Sequence, residues 1–341
     1  MRIGPGWLCA AGALGVWTGW RRARPPFSFA GRVVLVTGAS RGLGLVMARL
    51  LAEQGARLAI CARDPAELER ARAELAARGG EVLAVTCDVS DAGQAASFIS
   101  QAVERFGRID VLINNAGIIQ VGPLEAMGVH DFREAMEINY FGVVHCALAA
   151  LPHLRGGGRM VNVCSIGGAV AIPHLLPYVG SKYAAVGFSE GLAVEARRQR
   201  IRVTTVLPFV MRTGSHWNAL FKGRQESEVA WFAIAASLPG ASVPAERAAR
   251  RILRACARSE PYLSIGLLAK GMRVLHALAP GAVDRAASLV NRLLPSPGGA
   301  GPRDFAEPGW LHRPGAARGA WTRLGDEAAR RNREVPWAPP R

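Results

Sequence analysis

The sequence predicts an α/β protein built on a doubly wound parallel sheet. Short runs rich in Val, Leu and Ile alternate with longer segments of helical character along much of the chain. The first of these runs, Val33-Val34-Leu35-Val36, is apolar at every position, as in a strand covered on both faces. A glycine-rich turn follows that run and opens a helix, the context in which backbone N–H groups can approach a phosphate. With 341 residues, half of them hydrophobic, there is chain enough for one large domain and for extensions at both ends.

Strand one leads through Thr37-Gly38-Ala39-Ser40-Arg41-Gly42-Leu43-Gly44 into a helix that reaches about Gln54. The second strand is Arg57 to Cys61, and a helix from Pro65 to Arg78 follows it. The third, Glu81 to Cys87, ends at Asp88-Val89, ahead of a helix from Asp91 to Phe106. The fourth, Ile109 to Ile113, runs into Asn114-Asn115-Ala116-Gly117. After a helix near Asp131 to Leu151, the fifth strand spans Arg159 to Ser165. Ser165 thus lies at a C-terminal strand end, where open α/β sheets bind ligands. A helical segment follows Tyr178, the sixth strand is Ile201 to Leu207, and a shorter one spans Tyr262 to Ile265.

The glycine turn points to a dinucleotide. Glycine lets the backbone approach the pyrophosphate, and the helix N-terminus supplies donors. The candidate contacts are Gly38, Ser40, Arg41, Gly42, Leu43 and Gly44, spaced G-xxx-G-x-G. After the second strand, the position where an acid would hold the ribose 2′-hydroxyl of NAD carries Ala62, and Arg63 follows. Two guanidinium groups, Arg41 and Arg63, suit a 2′-phosphate, so NADP(H) is the expected cofactor, with Asp64 displaced from the decisive position. Asp88 is placed to accept from the adenine amino group, with Val89 beside it.

Tyr178-Val179-Gly180-Ser181-Lys182 carries the chemistry. Residues four apart on a helix share a face, so the phenol and the ammonium can enter one pocket. A free Tyr ionises near pH ~10, and a neighbouring cation lowers that value towards neutrality. Lys occurs only at 182, 222 and 270 among 42 Lys and Arg residues, which marks Lys182 as a position that requires an amine.

From about Gly31 to Ile265 the chain resembles the short-chain dehydrogenase/reductase family. The matching motifs are Thr37-Gly38-xxx-Gly42-x-Gly44, Asp88-Val89, Asn114-Asn115-Ala116-Gly117, Asn139, Ser165 and Tyr178-xxx-Lys182, in that order. The resemblance implies a Rossmann-type fold, a nicotinamide cofactor in contact with Asn115, Ala116 and Gly117, and an Asn-Ser-Tyr-Lys active site. It makes Tyr178 the general acid or base, and it gives Lys182 both the tuning of Tyr178 and the nicotinamide ribose. Ser165 would bind the substrate oxygen, Asn139 would hold a water in a proton relay, and Thr213 would contact the carboxamide. One departure is Phe209, where the family has glycine after the proline. The implied reaction interconverts a carbonyl and an alcohol, and the alternative is a non-catalytic NADP(H)-binding scaffold or sensor at a membrane surface.

Substrate walls are expected from Ile166 to Pro177 and from Phe209 to about Pro239. The second stretch holds Met211, His216, Trp217, Phe221, Trp231 and Phe232, which suits an apolar, lipid-like substrate. His174 and His216 are incidental or line that pocket. A formal charge of +16 comes without a basic–aromatic patch or a recognition motif, so nucleic acid is not expected as a partner. Six Cys lack metal spacing, no HExxH occurs, and no metal is expected.

The expected organisation is an apolar segment over residues 1–24, a catalytic domain over 28–265, an amphipathic helical extension over 266–295 and a disordered tail over 296–341 rich in Pro, Gly, Ala and Arg. Residues 3–20 are uncharged and precede an Arg cluster, which makes them a candidate membrane anchor with the catalytic domain on the cytoplasmic side. The family resemblance also suggests a homo-oligomer.

Overall fold

A computed structural model describes residues 27–154, 156–312 and 321–336 of the chain. The expectations for residues 1–24 lie outside the described residues. Seven strands, β1 (Val33–Thr37), β2 (Arg57–Ala62), β3 (Glu81–Thr86), β4 (Val111–Asn114), β5 (Arg159–Val163), β6 (Arg202–Pro208) and β7 (Tyr262–Ile265), form one sheet. Their spatial order is β7-β6-β5-β4-β1-β2-β3, and every pairing is parallel. The order reverses between β1 and β4, so the switch point of a doubly wound sheet opens a crevice at their C-terminal ends.

All five residues of β1 are buried, and they alternate between two cores. Val34 and Val36 pack with the helices α1 (Gly42–Ala52), α2 (Pro65–Ala77) and, later in the chain, Ala245–Arg258. Val33 and Leu35 face α3 (Ala92–Phe106) and the helix Gly142–Leu154. Each such Val or Leu contributes roughly 1.5–3 kcal/mol by leaving water, which is why the strands read as continuous apolar runs.

Local signals set the helix ends. Asp64 and Asp91 accept from the N–H groups of Glu67 and Gln94 as N-caps of α2 and α3, and Gly107, at φ 74°, stops α3 in the left-handed region. The predicted helix from Asp131 to Leu151 is divided into α4 (Val129–Met136), a π-turn (Glu137–Phe141) and α5 (Gly142–Leu154). The long helix α6 (Leu176–Glu195) carries Tyr178 and Lys182 in its first two turns. After β6 come α7 (Gln225–Ser237), α8 (Ala245–Arg258) and, beyond β7, the hairpin of α9 (Leu267–Leu278) and α10 (Pro280–Asn291).

Two pieces of the tail carry regular structure where disorder was expected. Glu307–Pro308 pairs antiparallel with Leu220–Phe221, and Arg323–Arg331 forms α11. The reason lies in small residues. Gly325, Ala328 and Ala329 are the buried face of α11, and the Ala329 backbone leaves no room for a Cβ at Gly214. A face of Gly and Ala docks closely without the large apolar stripe that marks an amphipathic helix in sequence.

Candidate active site

The crevice at the switch point is a cavity of about 690 Å³. The strand ends supply its floor. Gly38, Ser40, Arg41, Gly42 and Leu43 line it after β1, with Arg63 after β2 and Asp88 and Val89 after β3. Asn115, Ala116 and Gly117 line it after β4, and Ser165, Tyr178, Lys182 and Thr213 complete the other side. Gly44 and Asn139 lie behind this lining, and they act through their neighbours.

The glycines answer to close approach. A Cβ on Gly44 would stand 2.2 Å from the Gly38 carbonyl oxygen, and one on Gly38 would stand 2.8 Å from the Ala116 Cα. Gly38 and Gly42 also hold φ of 64° and 58°, which L side chains rarely adopt. Asn115 holds the turn from below. Its Nδ2 donates to the carbonyls of Thr37 and Gly38 at 3.0 and 3.1 Å, while Thr37 Oγ1 accepts from the N–H groups of Asn115 and Ala116. The Asn115 side chain therefore shapes the cradle. This narrow, donor-rich turn at the start of α1 fits the phosphates of a dinucleotide.

The catalytic candidates meet across the cleft. Ser165 Oγ accepts from the Gly167 N–H at 3.0 Å, which leaves its own hydrogen to donate. Burial pushes the half-buried Tyr178 phenol up to about 12, the Ser165 side chain pulls it down, and Cys164 adds to the rise. Lys182, expected from the sequence to tune this phenol, sits beside its ring. Lys182 Nζ lies 5.6 Å from the Tyr178 ring centroid and donates to the Val163 carbonyl at 3.4 Å. Burial lowers the Lys182 ammonium in turn.

Asn139 stands on the π-turn, a register change that re-aims a side chain and is frequent at functional sites. Its Oδ1 accepts from the Ile118 N–H at 3.0 Å, and its Nδ2 donates to the Ile118 carbonyl at 3.1 Å and to Ser181 Oγ at 3.0 Å. That side chain fixes the Gly117–Ile118 backbone. Thr213 Oγ1 likewise accepts from the Ser215 N–H at 3.1 Å.

Around the charged rim, Arg41 is engaged. Its Nη1 lies 2.9 Å from Glu67 Oε2, and its Nε lies 3.6 Å from Glu334 Oε2. Arg63 is 56% exposed and, among the described residues, reaches Asp88, at 4.0 Å. Asp64 caps α2 through its Oδ1 and lines the cavity beside Arg63. Neither Glu67 nor Glu334 was legible as a site residue. Glu67 is one of three acids on an ordinary helix surface, and Glu334 sits in the tail.

The substrate end is apolar. Ile172, Leu175, Phe209, Met211, Trp231 and Phe232 line it. Phe221 and Trp217 are buried elsewhere, and the ring nitrogens of His216 and Trp217 both reach Asp326 at 3.2 Å. His174 instead bonds Glu228 on α7.

The family model described as short chain dehydrogenase matches residues 32–221. The mouse dehydrogenase/reductase SDR family member 7B is 36% identical over 242 residues, which cover 64% of this chain and 75% of that protein. The 3-ketodihydrosphingosine reductase of Bacteroides thetaiotaomicron is 36% identical over 185 residues, covering 54% of this chain and 65% of that one. A crystal structure of a tryptophan variant of actinorhodin polyketide ketoreductase with NADPH superposes with a TM-score of 0.62 at 29% identity, over 70% of this chain and 95% of the other.

Proposed function

The chain belongs to the short-chain dehydrogenase/reductase family and is an NAD(P)-dependent oxidoreductase, and from that premise we propose that it uses NADP(H) to interconvert an apolar, lipid-like ketone or aldehyde and its alcohol. The observation that carries the chemistry is the convergence of Tyr178, Ser165 and Lys182 on one cleft that begins at the glycine turn. When bound, the nicotinamide supplies or accepts the hydride.

The residues of this chain do the rest. The Tyr178 phenol is protonated at neutral pH, so it can donate to a carbonyl oxygen as negative charge develops there. The Ser165 hydroxyl, anchored by Gly167, adds a second donor to the same oxygen. Lys182 donates one of its three N–H groups to the Val163 carbonyl, and the others are available to ribose hydroxyls. Asn139 keeps the Gly117–Ile118 backbone in place behind the ammonium.

Arg63 supports the choice of NADP(H), because it is the exposed guanidinium after β2, where Ala62 replaces an acid. Six apolar side chains at the far end of the cleft support a hydrophobic substrate. A relative named for a keto lipid points the same way. We further propose that α9 and α10 rest on a membrane surface. Leu267 and Leu278 are 88% and 80% exposed, and the exposed Lys270, Arg285 and Arg292 belong to the same stretch of chain. Among the described residues no helix is long and apolar enough to cross a membrane.

The test is turnover of a panel of long-chain and short-chain ketones and aldehydes, run in parallel with NADPH and NADH. Turnover of long-chain carbonyls with NADPH is expected. No turnover of any carbonyl or alcohol with either dinucleotide would remove the assignment.

A further inference from the structure

The crevice has two lips. One is the glycine turn with Arg41 and Gly42, and the other runs from Thr213 to Asn218. Three residues of the tail, Asn332 to Glu334, span them. The Asn332 carbonyl accepts from the Gly42 N–H at 2.9 Å, while its Nδ2 donates to the Thr213 carbonyl at 3.1 Å. The Glu334 carboxylate lies 3.6 Å from Arg41 Nε on the first lip and accepts from Asn218 Nδ2 at 2.6 Å on the second. Asn218 Nδ2 also donates to the Glu334 carbonyl at 2.7 Å. Each tail residue with a part in this arrangement therefore bonds both sides of the cleft.

The crossing is built rather than incidental. Asn332 is fully buried and Glu334 is 7% exposed. A Cβ on Gly42 would stand 2.3 Å from Glu334 Oε1, so the carboxylate packs directly against the glycine turn. Arg333, between them, turns outward through φ 58° and pairs with Glu74 at 2.8 Å, and the Arg331 carbonyl accepts from Arg49 at 3.1 Å. These contacts pin the segment to α1 and α2 just before it crosses.

We propose that Asn332 and Glu334 form a strap across the pyrophosphate end of the cleft, which holds a bound dinucleotide in place and sets its rate of release. The proposal rests on the crevice being the cofactor site. With the strap docked the cleft still encloses about 690 Å³, so the strap bridges the opening and does not fill it. The first-turn N–H groups of Leu43 and Gly44 have no intrahelical acceptor and remain beside the crossing for phosphate oxygens. Asn332 and Glu334 are positioning residues, since they act by closing the lips on the cofactor and not on the reacting atoms.

The experiment is stopped-flow measurement of NADPH release from the full-length protein, with excess NADP⁺ as the trap. The Asn332→Ala/Glu334→Ala double variant is expected to release NADPH at least about tenfold faster, the factor that follows from losing one or two net hydrogen bonds. The NADPH association rate should change far less than the release rate, which a general loss of structure would not allow. If the double variant does not fold, Glu334→Gln, which keeps the shape and removes the Arg41 ion pair, is expected to speed release severalfold. Release at the wild-type rate from the folded variants overturns the strap. Tighter binding in the variants also overturns it, because the tail would then be a competitor for the site. Wild-type protein that binds neither NADPH nor NADH removes the cofactor site itself, whereas binding with strap-independent release removes only the strap.

Discussion

His174 Nδ1 lies 2.8 Å from Glu228 Oε1, and this contact ties the loop that enters Tyr178 to the helix that walls the substrate cavity. Both side chains are almost wholly buried, at 6% and 0% exposure, and Glu228 Oε2 also accepts from the Trp231 indole at 2.6 Å. His174 itself holds a left-handed backbone, φ 61°, which the pairing helps to maintain.

Glu228→Ala leaves the part-buried His174 ring nitrogen and Trp231 indole without this partner, at a cost of at most about 1–3 kcal/mol each. Denaturant unfolding should show a loss in that range per donor. The KM for long-chain carbonyls should rise more than kcat falls, because the loop and Trp231 shape the pocket and do not touch the proton. Unchanged stability and unchanged KM would show that the pair has no such function.

Arg63 is the second point of leverage. It is the guanidinium after β2 whose partner among the described residues lies at 4.0 Å, while Arg41 already meets Glu67 and Glu334. Arg63→Ala should raise the KM for NADPH by about ten- to hundredfold, the span of one lost charge-assisted hydrogen bond. The KM for NADH should stay close to the wild-type value. Equal effects on both cofactors would show that Arg63 does not read the 2′-phosphate.

The raised phenol of Tyr178 separates the two reaction directions. Reduction needs the phenol and oxidation needs the phenolate. With the group pushed up to about 12, carbonyl reduction should stay level from about pH 6 to 9 as far as Tyr178 is concerned, while alcohol oxidation climbs up to about tenfold per pH unit. The stability effect has a definite sign. The folded value is raised above the ordinary 10.0, so the folded state holds its proton more tightly than the unfolded chain does. That contribution is complete below about pH 10 and is lost as pH rises towards 12. A pH–rate profile in both directions checks the first part. An oxidation rate that levels off near neutrality would contradict it.

Sheet and cradle were legible because their signals are local. Continuous apolar runs, a glycine turn and a Tyr-xxx-Lys spacing need only neighbouring residues to be understood. The tail was not. Gly325, Ala328 and Ala329 look like composition, and their burial depends on Gly214, more than a hundred residues away in sequence. Side-chain duties were also hidden. Asn115 and Asn139 fall at the expected places, yet their amides serve the Thr37–Gly38 and Ile118 backbones. Phe209 could be recognised as a departure from glycine, and the structure places its side chain in the cleft lining, with its Cβ 3.2 Å from a Cβ built on Gly266.

The most direct measurement of the central claim compares Tyr178→Phe with wild type for NADPH-dependent carbonyl reduction, with NADPH affinity and thermal unfolding measured on the same samples. Removing one hydroxyl should cut kcat by at least about a hundredfold, while the variant still folds and binds NADPH. Reduction at the wild-type rate by a folded, NADPH-bound Tyr178→Phe protein would contradict the claim that this phenol transfers the proton.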